Sequence, residues 1–255
     1  MNSFTQESTL QLKTKVNANN KNIIEKMFFT PPLKILTPLE EDNITTIMLL
    51  SVSAGLMKGD NHKIQIEIGK HSKIRLTSQS YEKIHDTQNG HASKHMYITL
   101  GENAVLDYTP LPIMPFKNSS FKGHTQIYLE KNSKLYFSEI FCAGRVENGE
   151  LFDFREFDSK LSIYKNNRLA YFENMLLKPT QVKMQNCCSF DNYTHSLSLI
   201  IFDDNIDFSL LKQKVSKANA NINIGISKNN ESIIIKALAH TSETLLQFRE
   251  SLELV

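Results

Sequence analysis

The chain has 255 residues, enough for one large domain or two small ones with a real core. Hydrophobic residues make up 40% and charged residues 22%, and 29 basic against 27 acidic side chains leave a net charge of +2, the balance of a soluble globular protein. The basic residues are scattered, which excludes a polyanion-binding patch and hence a nucleic-acid partner, and no apolar run of about 18 residues could cross a membrane.

In chain order, the start MNSFTQESTLQLKTK has no apolar core and is not expected to act as a signal peptide. The three cysteines, Cys142, Cys187 and Cys188, are odd in number and include an adjacent pair, a poor disulfide framework. A reducing, cytoplasmic setting is the expectation. Asn is abundant and often paired, as in Asn19-Asn20, Asn166-Asn167 and Asn229-Asn230. Asn tolerates the left-handed conformation and bonds its own backbone, so Asn pairs between apolar runs mark turns in a β-rich chain. The apolar run TTIMLLSV enters SVSAGLMKGD, Ser51 to Asp60. Gly55 and Gly59 permit unusual backbone angles there, and Asp60 follows the turn as either a functional carboxylate or a turn Asp bonded to its own backbone.

An internal repeat follows. IEIGKHSKIRLTSQ from Ile66, ITLGENAVLDYTPL from Ile98, IYLEKNSKLYFSEI from Ile127 and LSIYKNNRLAYFEN from Leu161 align without gaps. KVNANNKNIIEK, from Lys15 to Lys26, is a weaker fifth copy. Each copy alternates with period 2, turns through residues such as Gly101-Glu102-Asn103, and opens a second alternating run. Such a unit buries one face only, so units must stack. The spacing of roughly 30 residues predicts a mainly β, β-helix-like or layered body of stacked strand-turn-strand units, with an ordinary β-sandwich as the alternative. Glu139, in SEIFCAGRVENGELFDF, and Glu173, in LAYFENMLL, occupy the same repeat position. Stacked units would put them on equivalent rungs, where they could form structural pairs with Arg145, Arg155 or Arg168, hold a hydrated divalent cation, or act as an acid/base pair. Between the copies, His85, His91 and His95 fall in KIHDTQNGHASKH, a polar loop bounded by strands rather than a metal-binding helix. Cys187 and Cys188 with His195 form a second conceivable cluster, read first as small half-buried residues before a strand.

Beyond residue 190 the pattern changes. HSLSLIIFDD reads as a strand, and DFSLLKQKVSKANA as a helix capped by Asp207 with Phe208, Leu211, Val215 and Ala218 on one face. INIGIS and SIIIKALAH read as strands, and SETLLQFRESLELV as a helix with Leu245, Phe248, Leu252 and Val255 aligned. The chain is thus divided into a body over 1–190 and a small C-terminal βαββα lobe over 191–255 packed on it as one structural unit.

No P-loop, G-x-S-x-G or G-x-G-x-x-G motif occurs in the sequence. FFTPPLKILTP (Phe28 to Pro38), MLLSVSAGLMKGD (Met48 to Asp60), RLTSQSYEKIH (Arg75 to His85), AGRVENGELF (Ala143 to Phe152) and KALAHTSETLL together resemble the UreD family of urease accessory proteins, called UreH in Helicobacter-type operons. Gly144, Arg145 and Gly149 carry the GR-x-x-x-GE part of that resemblance, and Ala54 departs from it where many relatives have Gly. The resemblance covers nearly the whole chain and implies a non-catalytic scaffold and chaperone for metallocentre assembly. Such a scaffold binds a helical UreF-type partner and, through it, a UreG-type GTPase, in a two-fold symmetric hetero-oligomer docked on apo-urease. It also implies a β-helix-like fold, no tightly bound cofactor, and transient Ni²⁺ passage through an internal channel. Asp60 and Glu173 match its acidic channel positions, and Glu139 is added from the repeat alignment. Leu245, Phe248 and Leu252 are the expected partner surface, unless they pack on the body. The rival reading is a β-solenoid carbohydrate-active enzyme using paired carboxylates.

Overall fold

The structure, a computed structural model, describes residues 7–41, 44–218 and 221–254; Val255 lies outside them. β1 (Ser8–Val16) and β2 (Asn22–Phe29) form a hairpin. The short strands β3 (Leu33–Ile35) and β4 (Leu39–Glu41) flank β5 (Ile44–Ser51). The chain then coils through β6 (Asn61–Ile68), β7 (Lys73–Ser78), β8 (Glu82–Ile84), β9 (Ala92–Leu100), β10 (Val105–Tyr108), β11 (Ile113–Pro115), β12 (Ser120–Leu129) and β13 (Lys134–Cys142). A hairpin of β14 (Glu156–Lys165) and β15 (Arg168–Leu177) ends the coil. β16 (His195–Phe202), α1 (Phe208–Ser216), β17 (Asn223–Lys228), β18 (Ile233–Ala239) and α2 (Ser242–Ser251) complete the chain.

This is a β-solenoid of about four turns with two helices near its C-terminus. β1, β6, β9, β12 and β14 stack in parallel in a seven-stranded sheet edged by β15 and β2; call it sheet A. β5, β7, β10 and β13 stack in parallel in an eleven-stranded sheet B. β16 joins sheet B antiparallel to β13, so the sheet runs on without a break into the C-terminal elements.

The corners explain both the coil and its end. At Gly69–Ser72, Gly101–Ala104 and Glu130–Ser133 the third residue of each turn has positive φ: His71 at 60°, Asn103 at 56° and Asn132 at 57°. The turns stack, with His71 N–H donating to Glu102 C=O and Asn103 N–H to Lys131 C=O, each 3.1 Å. One left-handed residue turns the chain from sheet A into sheet B. The fourth copy has two in succession, Asn166 at 50° and Asn167 at 61°. Two consecutive left-handed residues favour a tight hairpin, so β15 folds back beside β14 in sheet A and does not enter sheet B. The first half of the aligned fourth repeat, β14, therefore stacks on β12 while its second half folds back as a hairpin strand, and Lys15 to Lys26 is likewise the β1–β2 hairpin.

Period-2 alternation buries one side of each strand, as in β6, where His62, Ile64, Ile66 and Ile68 face inward. Between the sheets lie two apolar clusters. One, aliphatic, includes Leu12, Ile66, Ile98, Ile127 and Phe137. The other, rich in aromatics, includes Phe121, Phe141, Phe154, Phe157 and Phe190. A third, on the outer side of sheet B, packs α1 and α2 through Leu211, Val215, Leu245 and Phe248. Asp207 caps α1 through its side chain and Thr241 caps α2. Asp107, fully buried, accepts from Arg75 Nε at 2.8 Å and from Arg249 of α2, tying that helix to the coil.

Candidate functional site

Inward-facing positions of a layered β fold are expected to be apolar. Between the aliphatic and aromatic clusters this rule fails along one level. In sheet A the rung across β1, β6, β9, β12 and β14 reads Ser8, His62, Lys94, Gly123 and Ser159. In sheet B the rung across β13, β16 and β18 reads Glu139, Ser198 and Lys236. Glu82 of β8, Tyr108 of β10, and Tyr171 and Glu173 of β15 complete a polar belt through the interior.

The belt has two halves. In the first, Lys94 Nζ sits 3.0 and 2.9 Å from the two Glu82 oxygens, with these side chains 18% and 27% exposed. His62, Glu82, Lys94, Tyr108 and Glu139 line a cavity of about 100 Å³, its remaining walls formed by residues such as Leu49, Thr77 and Pro110. Burial opposes the charge of Lys94, but Glu82, with Tyr108 and Glu139 near, more than offsets it and raises its pKa. Burial pushes Tyr108 up to about 12 and holds His62 below its ordinary value, so His62 is neutral at pH 7. Glu139 makes no hydrogen bond or ion pair among the described residues, and desolvation, only partly relieved by Lys94, pushes it up to about 7. In the second half, Glu173 accepts from Tyr171 Oη at 2.9 Å, from Ser198 Oγ at 3.0 Å and from Lys236. Lys236 Nζ also donates to Ser198 Oγ at 2.6 Å. Desolvation acts to raise the Glu173 pKa, yet Lys236 and the hydroxyl donors outweigh it, and the net shift is downward. Two carboxylates in one belt are thus driven in opposite directions by their surroundings.

Glu139 senses the charge of Glu173, but not because they share a rung. Glu139 points in from sheet B and Glu173 from the edge of sheet A. Their cations are lysines, not the arginines expected. Arg145 pairs with Glu150 and lies over the Phe116 ring, 4.4 Å from its centroid. Arg155 bonds the Asn118 carbonyl and Thr87, and Arg168 lies at the β14–β15 turn. Asp60 stands apart from the belt: its Oδ2 accepts the Met57 N–H at 2.7 Å, a turn contact, although its charge is felt at His62. The glycines serve the corners. A Cβ on Gly55 (φ 145°) would stand 2.4 Å from Lys83 O, and one on Gly144 (φ 137°) 2.7 Å from Glu150 O. Gly59 and Gly149 have φ of 85° and 78°.

Sequence reasoning missed Lys94, Lys236, Glu82 and His62. A signal existed: Lys94 stands at the inward parity of Ala92, Met96 and Ile98, and Lys236 at that of Ile234 and Leu238. Leu245, Phe248 and Leu252 are 0%, 5% and 2% exposed and pack on sheet B, so they offer no partner surface. Exposed apolar side chains instead gather on the outer face of sheet A. Tyr97, Tyr128 and Tyr164 form a ring ladder with spacings of 5.0 and 4.7 Å, continued on the edge strand by Leu169 and Phe172, 56% and 57% exposed. His195 bonds Thr194, and burial takes it down to about 4; Cys187 and Cys188 are free and exposed. His95 lies within β9 and not in a loop. Among the described residues no three His, Cys, Asp or Glu side chains gather around one point, and no helix is long and apolar enough to cross a membrane.

Comparison with known proteins adds a consistent picture. A family model described as UreD urease accessory protein matches residues 6–255. The chain is 64% identical over 254 residues, covering 100% of both chains, to the urease accessory protein UreH of Helicobacter hepaticus. It is 44% identical to UreH of Helicobacter pylori, over 99% of this chain and 96% of that one. It is 35% identical to the urease accessory protein UreD of Acetivibrio thermocellus, over 96% and 95%.

Proposed function

Because the chain belongs to the UreD family of urease accessory proteins, we propose that it is a non-catalytic cytoplasmic scaffold that assists nickel delivery to apo-urease through its polar belt. The observation that carries this reading is Glu139: a half-buried carboxylate with no partner among the described residues, facing a cavity shared with Glu82 and His62. A carboxylate left unpaired in a mostly apolar interior is costly unless something else compensates it. A passing hydrated divalent cation would do so. Oxygen and imidazole groups suit Ni²⁺. Glu173, already neutralised by Lys236, would take a cation only as that lysine swings away; its side chain is 43% exposed.

In this reading a UreF-type helical protein docks on the scaffold and brings a UreG-type GTPase, within a two-fold assembly on urease. The surface assigned to the first partner moves from α2 to the outer face of β15, where Leu169 and Phe172 lie on the end strand of sheet A, unpaired on its far side among the described residues. The test is urease activation in cells carrying Glu139→Gln or Glu173→Gln. Activation should fall with the accessory complex still assembling, whereas Phe172→Glu should weaken assembly itself. Normal activation by both glutamine variants would refute the belt as the route.

A further inference from the structure

The outer face of sheet A carries a group of metal-ligating side chains outside the belt. His95 of β9 and His124 of β12 are in-register partners on adjacent parallel strands and face the same side. In-register residues of neighbouring strands stand about 5 Å apart at the backbone, which lets two imidazoles converge on one cation. Asp158 of β14 is the register partner of Lys122, diagonal to His124 and within side-chain reach. Its Oδ1 is buried and has no hydrogen-bond partner among the described residues. Its Oδ2 lies 3.8 Å from Lys160 Nζ. His124 Nε2 is 3.4 Å from Ser162 Oγ, which leaves Nδ1 available. Desolvation first, then the charges of His95 and Lys160, hold His124 below its ordinary pKa.

We propose that His95, His124 and Asp158 form a surface site for a divalent first-row transition-metal ion, separate from the interior belt. Two imidazoles and one carboxylate with open positions are a donor set for such ions. The three groups are not yet gathered around one point, so binding requires rotation of the exposed His95 and of Asp158 toward His124. Lys63 and Lys160 flank the two histidines in register and must turn outward, as long solvent-facing side chains can.

Titration of the full chain with NiCl₂ and ZnCl₂ by calorimetry tests the site. One equivalent should bind, and His95→Gln or His124→Gln should each weaken it roughly ten-fold or more. The double variant should lose it. Substoichiometric Ni²⁺ should broaden the imidazole NMR signals of both histidines in the unaltered chain. Glu139→Gln with Glu173→Gln should leave this equivalent in place, which separates the site from the belt. Unchanged affinity and stoichiometry in the double variant, or unbroadened signals from both rings, would overturn the proposal. Should the double variant misfold, loss of affinity or its retention in His95→Gln alone decides, because His95 is exposed.

Discussion

The Lys94–Glu82 pair offers the most direct measurement of what the belt costs and how it holds. Replacing Lys94 by Met keeps the stem and deletes the charge, leaving Glu82 without its two contacts of 3.0 and 2.9 Å and Glu139 without its strongest compensating cation. Breaking a buried ion pair from one side costs about 3–5 kcal/mol. The side chains retain 18% and 27% exposure, which places the expected loss at the low end, about 3 kcal/mol. With a urea slope of about 3 kcal/mol per molar for a chain of this size, the midpoint should drop by about 1 M. Lys94→Met with Glu82→Gln should recover most of that loss, because neither charge is then stranded. The double-mutant cycle should return a coupling of about 2 kcal/mol. A midpoint shift below about 0.3 M for Lys94→Met, or additivity across the cycle, would show that the pair is solvated and the belt is not a low-dielectric layer.

Other outcomes follow from the same geometry. Glu139 has its folded pKa raised from 4.5 to about 7, so between these values the folded state keeps a proton that the unfolded chain has released, and stability falls as pH rises through that window. Glu139→Gln should therefore stabilise the protein by roughly 2–3 kcal/mol at pH 8 and by almost nothing at pH 4, read from paired urea melts; an equal effect at both pH values would contradict the burial argument. Glu173 behaves oppositely, its lowered pKa adding stability above the unfolded value that disappears as pH falls through the folded one, so Glu173→Gln should flatten the acid limb of the same profile. Arg249→Met strips α2 of its contact with the fully buried Asp107 and should cost about 3 kcal/mol, roughly 6–12 °C in a thermal melt. Gly55→Ala puts a Cβ 2.4 Å from Lys83 O in a positive-φ position and should destabilise by about 2 kcal/mol or more; a neutral result in the same melt would mean that this corner can relax.

Much of the architecture was legible in the sequence because it is local. Period-2 alternation assigns the faces of β6, β9, β12 and β13, and single Asn or His residues at the third turn position set the corners. The cap Asp207 announces α1, and the helical spacing of Leu245, Phe248 and Leu252 announces α2, whose cap the structure gives as Thr241. Even the departure of the fourth copy was written there, since Asn166-Asn167 supplies two left-handed residues where the other copies supply one. Alignment by apolar positions passed over it, because parity is the same in a hairpin and a coil.

The belt was not legible, for a physical reason. Each of its members is a lone polar residue at an inward position, and parity says only that such a residue faces the interior, not what it meets. His62 and Lys94 become neighbours through parallel stacking of β6 and β9, Glu139 and Lys236 share a level only because β16 pairs with both β13 and β18, and Glu173 reaches that level from the opposite sheet. These contacts join segments far apart in the chain. Composition, alternation and turn chemistry determined a mainly β body of stacked strand-turn-strand units, with Glu139 and Glu173 set in its apolar runs. Lateral register and the packing of one sheet over the other decided which charges face each other, which are compensated, and that Glu139 has no partner among the described residues.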